Sequence, residues 1–302
     1  MRARSLASGT RVALVAPAGP VDAERITESE ERCRGLGLEP VVFPSASARA
    51  RYLAGTDAER LADLQGALDD PGIGAVWALR GGYGTLRILE RLSLERQRRD
   101  PIPFIGFSDN TSLHVRHAEL GVVSFHGPHP ADELTPEADD WFRRVLFRAE
   151  PPGALPRSGG DPKPRSLVSG VAEGPIVGGN LAILASLCGT RHAPRARGAI
   201  LFLEDVGEPA YRIDRMLLQL ERSGVLDGVA GLAFGRFTAD REEPSEVGGV
   251  LAEVAERAGV PAVADLPFGH VRSNLVLPVG ARARLDAEAA ALTVIEAAVR
   301  EG

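Results

Sequence analysis

Lysine is almost missing from this 302-residue chain: Lys163 is the only one, and arginine carries nearly all the positive charge. Chemistry that needs a lysine amine, such as Schiff-base formation, is therefore disfavoured. Cysteine is nearly as scarce. Cys33 and Cys188 are too few and too far apart for a disulfide framework or a Cys-x-x-Cys metal site, which fits a reducing cytoplasm. No apolar run is long enough to cross a bilayer, and residues 1–10 lack the apolar core of a signal peptide. A cytoplasmic location is expected, with no membrane partner. The net charge of -6 comes from interspersed acids and bases, so no basic stripe invites nucleic acid. Small molecules or peptides are the expected partners. No His, Cys, Asp and Glu cluster has the spacing of a zinc site, so neither metal nor cofactor is expected, and no repeat of fixed period is present.

What is present is 44% apolar residues, enough for a proper core. Short apolar runs alternate with helix-like stretches. Arg11-Val12-Ala13-Leu14-Val15 precedes a polar helical stretch over 22–36, and Val41-Val42-Phe43 precedes another over 57–68. The run 74–79 leads through a glycine loop to a helix over 85–92, and Phe104-Ile105-Gly106-Phe107 follows. Such alternation predicts a parallel sheet covered on both faces, with ligands beyond the carboxyl ends of its strands. Residues 151–170 are dense in proline and glycine and read as a linker. The expected organisation is an α/β domain over 1–150 and a second domain over 171–302. In the second, 199–203 and 228–237 read as buried strands, 212–222 and 246–258 as helices, and 283–285 with 291–294 as a terminal hairpin or barrel edge.

The richest segment is Gly106-Phe107-Ser108-Asp109, where an apolar run ends on a serine that opens a helix. A sharp strand-to-helix turn lifts a hydroxyl out of the sheet, and the free N–H groups of the new helix point at any oxyanion formed beside it. A serine there also caps helices well. As a nucleophile Ser108 needs a base and an orienting acid. Among the six histidines, His114 and His117 fall on the following helix and point away. His126 and His129 flank Gly127-Pro128, and either could reach the pocket. His192, among basic residues, reads as solvent-facing. His270 follows a short strand in a loop that could present it to a cleft. Glu204 and Asp205 close the apolar run 200–203, where either could hold an imidazole or cap the next element. Arg80-Gly81-Gly82-Tyr83-Gly84 could cradle an anion with its backbone, and without a following Gly-Lys-Ser/Thr it is not a nucleotide P-loop.

Taken together, these segments resemble the L,D-carboxypeptidase family of serine peptidases, which includes peptidases giving self-immunity to peptidyl-nucleotide antibiotics. The likeness runs through 12–20, 80–84, 106–111, His126-Gly127-Pro128, Gly178-Gly179-Asn180-Leu181, Leu203-Glu204-Asp205 and Gly269-His270. It implies Ser108 as nucleophile, Glu204 as orienting acid and His270 as base. It also implies an amino-terminal α/β domain with a nucleophile elbow, a smaller mixed α+β, barrel-like carboxyl-terminal domain, and a homodimer. The expected substrate is a peptide ending in a D-amino acid, above all a murein tetrapeptide. Backbone N–H groups of Asp109 and of Gly81 or Gly82 would form the oxyanion hole. Arg80 or Arg272 is a candidate for the terminal carboxylate. After His270, Val271-Arg272-Ser273-Asn274 stands where the family pattern is richer in glycine.

Overall fold

A computed structural model describes residues 1–157, 159–238 and 244–302. The first half alternates strand and helix: β1 (Arg11–Val15), α1 (Ala23–Gly35), β2 (Glu39–Val42), α2 (Asp57–Asp69), β3 (Ala75–Ala78), the single-turn α3 (Thr85–Ile88), α4 (Glu95–Arg99) and β4 (Phe104–Gly106). Then come α5 (Thr111–Glu119), β5 (Ser124–His126) and α6 (Pro136–Phe147). Strands β1 and β3 are wholly apolar apart from Arg11 and lie almost entirely buried, because helices cover both faces of the parallel sheet they form. Helix α2 starts where it does because Thr56 and Glu59 form a reciprocal capping box, each side chain taking the other's free backbone N–H.

The second half follows with β6 (Gly153–Ala154), β7 (Arg165–Val168), β8 (Val171–Asn180), α7 (Leu181–Leu187), β9 (Ile200–Val206) and α8 (Ala210–Arg222). It ends with β10 (Gly231–Thr238), α9 (Pro244–Ala258), β11 (Ala262–Ala264), β12 (Leu277–Val279), β13 (Arg282–Asp286) and β14 (Ala291–Val294). Among the described residues two mixed sheets form. The first has the order β12-β5-β4-β3-β1-β2, parallel except for the β12–β5 pair, and the second the order β6-β14-β13-β8-β9-β10-β11-β7. The second is not the small barrel expected from the sequence. It has more strands than the first, and β6 and β7 remain as open edges. Its centre, β8 to β11, is parallel, and parallel strands need covering helices and crossovers rather than closure.

The stretch read as a linker carries both edge strands, β6 on β14 and β7 on β11, so its prolines and glycines flank paired segments. Strand β12 crosses back to the first sheet, pairing Leu277 with His126 and Pro278 with Phe125. One apolar cluster accordingly includes Trp77, Trp141 and Phe142 with Phe202, Phe268 and Val276. Fully buried Trp141 donates its indole N–H to the Val276 carbonyl at 2.8 Å, and Trp77 stacks on Phe142 at 4.9 Å between centroids. The two sheets therefore share a core.

Candidate active site

Beyond the carboxyl ends of β3 and β4, two turns meet. Ser108 follows β4 with φ of 61°, a left-handed conformation that a residue with a Cβ adopts only when its surroundings impose it. The imposition is visible. Asp109 Oδ2 accepts the Thr85 N–H at 2.8 Å, the Thr85 hydroxyl donates to the Asp109 carbonyl at 2.7 Å, and the Ser112 hydroxyl donates to Thr85 Oγ1 at 2.7 Å. Below, His114 bridges the Gly106 carbonyl and the Ser124 hydroxyl at 2.7 and 2.8 Å, bracing β4 against β5. Burial keeps that imidazole neutral, pushing it down to about 3.

The glycine loop lies directly against the serine. A Cβ on Gly81 would stand 2.7 Å from Ser108 Cβ, 2.9 Å from its Oγ and 3.3 Å from the Asp109 nitrogen. Only a residue without a side chain allows this approach. The loop is held by Arg60, fully buried, which donates to the carbonyls of Pro17 and Gly84 and pairs with Asp57. Among the described residues, the N–H groups of Gly81 and Gly82 have no backbone partner. The Ser108 hydroxyl caps neither the short 3-10 turn it opens nor α5, so its position does not serve helix capping.

Glu204 lies on β9 of the second sheet, and His270 lies in the loop from β11 of that sheet to β12 of the first. Glu204, with no exposed surface, accepts from His270 Nδ1 at 2.7 Å through Oε2. Burial works against the imidazolium, yet the hydrogen bond and charge of Glu204, aided by Asp205 and Asp132, outweigh it and raise His270 above the ordinary histidine range. The His270 ring packs on Phe107, 4.8 Å between centroids, which brings it beside the residue preceding Ser108. Ser108 Oγ and His270 make no hydrogen bond to each other among the described residues, a looseness common where substrate tightens the geometry.

Neighbouring acids and histidines sort themselves by contacts. Asp205 points the other way along β9: its carboxylate accepts from Asn180 Nδ2 at 3.1 Å and from the Ala182 and Val206 N–H groups at 2.9 and 2.8 Å. It secures the start of α7, and burial beside Glu204 pushes it up to about 6. Asn180 caps α7 through Ile183, and its N–H donates to Thr111 Oγ1 at 3.0 Å, tying β8 to the first turn of α5. His126 lies wholly buried against Phe107 and Phe202, and burial, with His114 and His270 nearby, holds it well below its usual range. His129 packs 4.4 Å from Phe107 with Asp132 at 3.4 Å from Nδ1. His192 is not solvent-facing as its basic neighbours suggested. It is 5% exposed, its Nδ1 3.0 Å from Glu119 and its Nε2 3.3 Å from Glu90, because two carboxylates converge on it.

Of the two arginines expected to hold a carboxylate, Arg80 lies exposed beside Gly81, donating to the Pro20 carbonyl at 2.9 Å, with no acidic partner among the described residues. Arg272 is instead engaged by Glu133 at the surface. Phe107, Thr111 and Asn180 carry no chemistry of their own in the sequence. Their contacts appear only across sheets, though Asn180 before an apolar helical run is a legible cap. Among the described residues no group of three or more His, Cys, Asp or Glu could hold a metal ion, and no helix is long and apolar enough to cross a membrane.

Two mixed sheets sharing a core, with the serine turn after β4 and the Glu204–His270 pair beside it, make this a mixed α/β protein. Residues 12–127 match the LD-carboxypeptidase N-terminal domain and residues 173–285 the LD-carboxypeptidase C-terminal domain, so the chain belongs to the LD-carboxypeptidase family. A Streptomyces coelicolor relative is 46% identical over 97% of this chain and 96% of its own. The murein tetrapeptide carboxypeptidase of Pseudomonas aeruginosa is 35% identical over 91% of this chain and 93% of its own. Among solved structures, the muramoyltetrapeptide carboxypeptidase of Oxalobacter formigenes superposes with a TM-score of 0.82 at 31% identity, covering 94% of this chain and 97% of the other.

Proposed function

We propose that this protein is a serine L,D-carboxypeptidase that releases the terminal D-alanine from murein tetrapeptides. The observation that carries the reading is the buried 2.7 Å Glu204–His270 pair, packed through Phe107 against a serine held at φ 61°. Membership of the LD-carboxypeptidase family and the two murein-peptide relatives support the substrate class.

In this reading Ser108 is a nucleophile elbow. His270 Nε2 takes the Ser108 proton as Oγ attacks the carbonyl of the L-centre joined to D-alanine, and the oxyanion is met by the N–H groups of Asp109 and of Gly81 or Gly82. The imidazolium then gives its proton to the departing amine and the C–N bond breaks, leaving an acyl-enzyme. Water, deprotonated by His270, attacks the ester, and Ser108 recovers its proton as the peptide leaves. Glu204 keeps the proton on Nδ1, so Nε2 is free to accept. We assign the free α-carboxylate of the D-residue to Arg80, which lies exposed next to Gly81 with no acidic partner among the described residues. Arg272 is the weaker candidate because Glu133 engages it.

The family resemblance further supports a homodimer, which light scattering on the purified chain tests. The reaction is tested by mass spectrometry of a murein tetrapeptide incubated with wild type and with Ser108→Ala. Loss of one D-alanine with wild type alone is expected. Equal release by the variant refutes the nucleophile, and preferential cleavage of a peptidyl-nucleotide would redirect the substrate assignment to antibiotic self-immunity.

A further inference from the structure

The basic run Arg191-His192-Ala193-Pro194-Arg195-Ala196-Arg197 has no part in the serine site. Its first two members hold structure. Arg191 pairs with Glu90, and buried His192 lies between Glu90 and Glu119, which pins the loop after α7 against the last turn of α5. The other two cations are left over. Arg195 and Arg197 are exposed, and neither has an acidic partner among the described residues. Both line a cavity of about 350 Å³ that the pinned loop helps to enclose.

The cavity lies between α5 and the strands β8 and β9, where Val115, Ala118, Val177, Leu184, Leu201 and Val279 give it an apolar wall. Its space is left by glycine. Gly121, Gly178 and Gly280 also face it, and a Cβ on Gly121 would have no heavy atom within 4 Å. His114 offers it no free polar atom, because the Gly106 carbonyl and the Ser124 hydroxyl engage both ring nitrogens. Glu119, the one carboxylate on the wall, is already neutralised by Arg116 at 2.6 Å and held by His192 at 3.0 Å. The chamber is separate from the catalytic pair: Leu201 precedes Glu204 along β9 by three residues, about 10 Å of strand.

An apolar chamber with two unpaired guanidiniums on its exposed side selects a ligand with an apolar body and one anionic end. Other classes fit worse. No Phe, Tyr or Trp lines the cavity to stack a nucleobase, and β8 and β9 are paired on both sides, which leaves no strand edge there for a peptide. We propose that this cavity is a second binding site, for a small monocarboxylic acid with an apolar tail. The carboxylate meets Arg195 and Arg197, and the tail lies against Val115, Leu184 and Leu201. The volume stands at the lower end of the ~300–1,000 Å³ range of small-molecule sites, which limits the ligand to a short- or medium-chain acid.

The test is isothermal titration calorimetry of wild type and of the double variant Arg195→Ala with Arg197→Ala, using octanoate, octylammonium and acetate as probes. Both arginines are at the surface, so the variant keeps the fold. Wild type is expected to bind octanoate at least tenfold more tightly than octylammonium, which has the tail with the wrong charge, or acetate, which has the charge without the tail. The double variant should bind octanoate roughly 10- to 150-fold more weakly, the order of one lost hydrogen-bonded ion contact. Octanoate should also raise the melting temperature of wild type in step with its occupancy. No octanoate binding, equal binding of octylammonium or acetate, or undiminished binding by the double variant overturns the site. Ser108 takes no part in it, so neither outcome bears on the peptidase reading.

Discussion

Glu204→Gln preserves size and removes one charge, and so isolates what the buried carboxylate does for His270. The contact is short, 2.7 Å, and Glu204 has no exposed surface, so solvent cannot replace it. A hydrogen bond to a charged partner contributes about 1.5–3 kcal/mol, and at ~1.4 kcal/mol per tenfold its loss predicts a fall in kcat of roughly 10- to 150-fold. A second effect adds to this. A glutamine amide can turn its NH2 toward Nδ1, which drives the imidazole proton onto Nε2, the atom proposed to accept from Ser108. The combined loss should approach 10³-fold, on the order of the effect of disturbing such a tautomer. The pH profile carries the sharper signature. His270 must be neutral to serve as the proposed base, so its raised pKa predicts an acidic limb of kcat/KM above the ordinary histidine range. Removing the Glu204 charge moves that limb to lower pH. The assay is D-alanine release from a murein tetrapeptide, followed with a D-amino-acid oxidase couple across the neutral range. A loss smaller than about threefold together with an unmoved acidic limb would refute the proposed role of Glu204.

The same pair makes an opposite prediction for stability. Because the folded His270 pKa lies above the unfolded one, the stabilisation is fully present below the ordinary histidine value and is lost as pH rises through the folded value; Glu204→Gln should therefore lower the melting temperature more on the acidic side of neutrality than on the alkaline side. Gly81→Ala requires no left-handed backbone, so it should fold, while its Cβ, 2.7 Å from Ser108 Cβ, displaces the serine and lowers kcat roughly 100-fold. Gly82→Ala reverses the pattern: φ of 104° costs on the order of 1–3 kcal/mol, but its Cβ meets only Gly19 at 3.5 Å, so melting temperature falls more than kcat. Trp141→Phe leaves the buried Val276 carbonyl without its partner on α6, a loss of about 1–3 kcal/mol measurable by denaturant titration; an unchanged midpoint would show that this contact does not hold α6 against the segment entering β12.

How legible each part was follows from the range of the forces involved. The buried strands β1, β3 and β9 declare themselves because burial on both faces demands unbroken apolar runs. The serine corner is equally local, since a strand, a tight turn and a helix start occupy successive residues. Long-range pairing is not. The proline-rich stretch that reads as a linker is paired at both ends, and β12 returns to the first sheet, because register depends on partners far away in the sequence. Glu204 and Asp205 are indistinguishable as letters, and the pleat separates them: adjacent residues of a strand face opposite sides, one toward His270 and one toward α7. His192 misled because neighbours in sequence are not neighbours in space, and the acids that surround it come from other elements.

The path of the chain around His270 explains why the pair and the serine form one unit. On its amino side the loop is fastened to the second sheet, where the Leu266 N–H donates to the Phe234 carbonyl at 3.1 Å and the Arg236 N–H to the Phe268 carbonyl at 3.0 Å. On its carboxyl side it is fastened to the first, where Leu277 pairs with His126, the register partner of Gly106 just before the serine turn. The Thr111–Asn180 bond adds a second strap between the same two sheets. Any sliding of one sheet on the other must therefore move His270 relative to Ser108. Thr111→Val, which removes the acceptor for the Asn180 N–H but keeps the volume, should lower kcat for every substrate in the same proportion, because it loosens the docking on which the proposed base and nucleophile depend. If Thr111→Val lost stability yet kept full kcat, the docking of the sheets would not be what sets the distance between base and nucleophile.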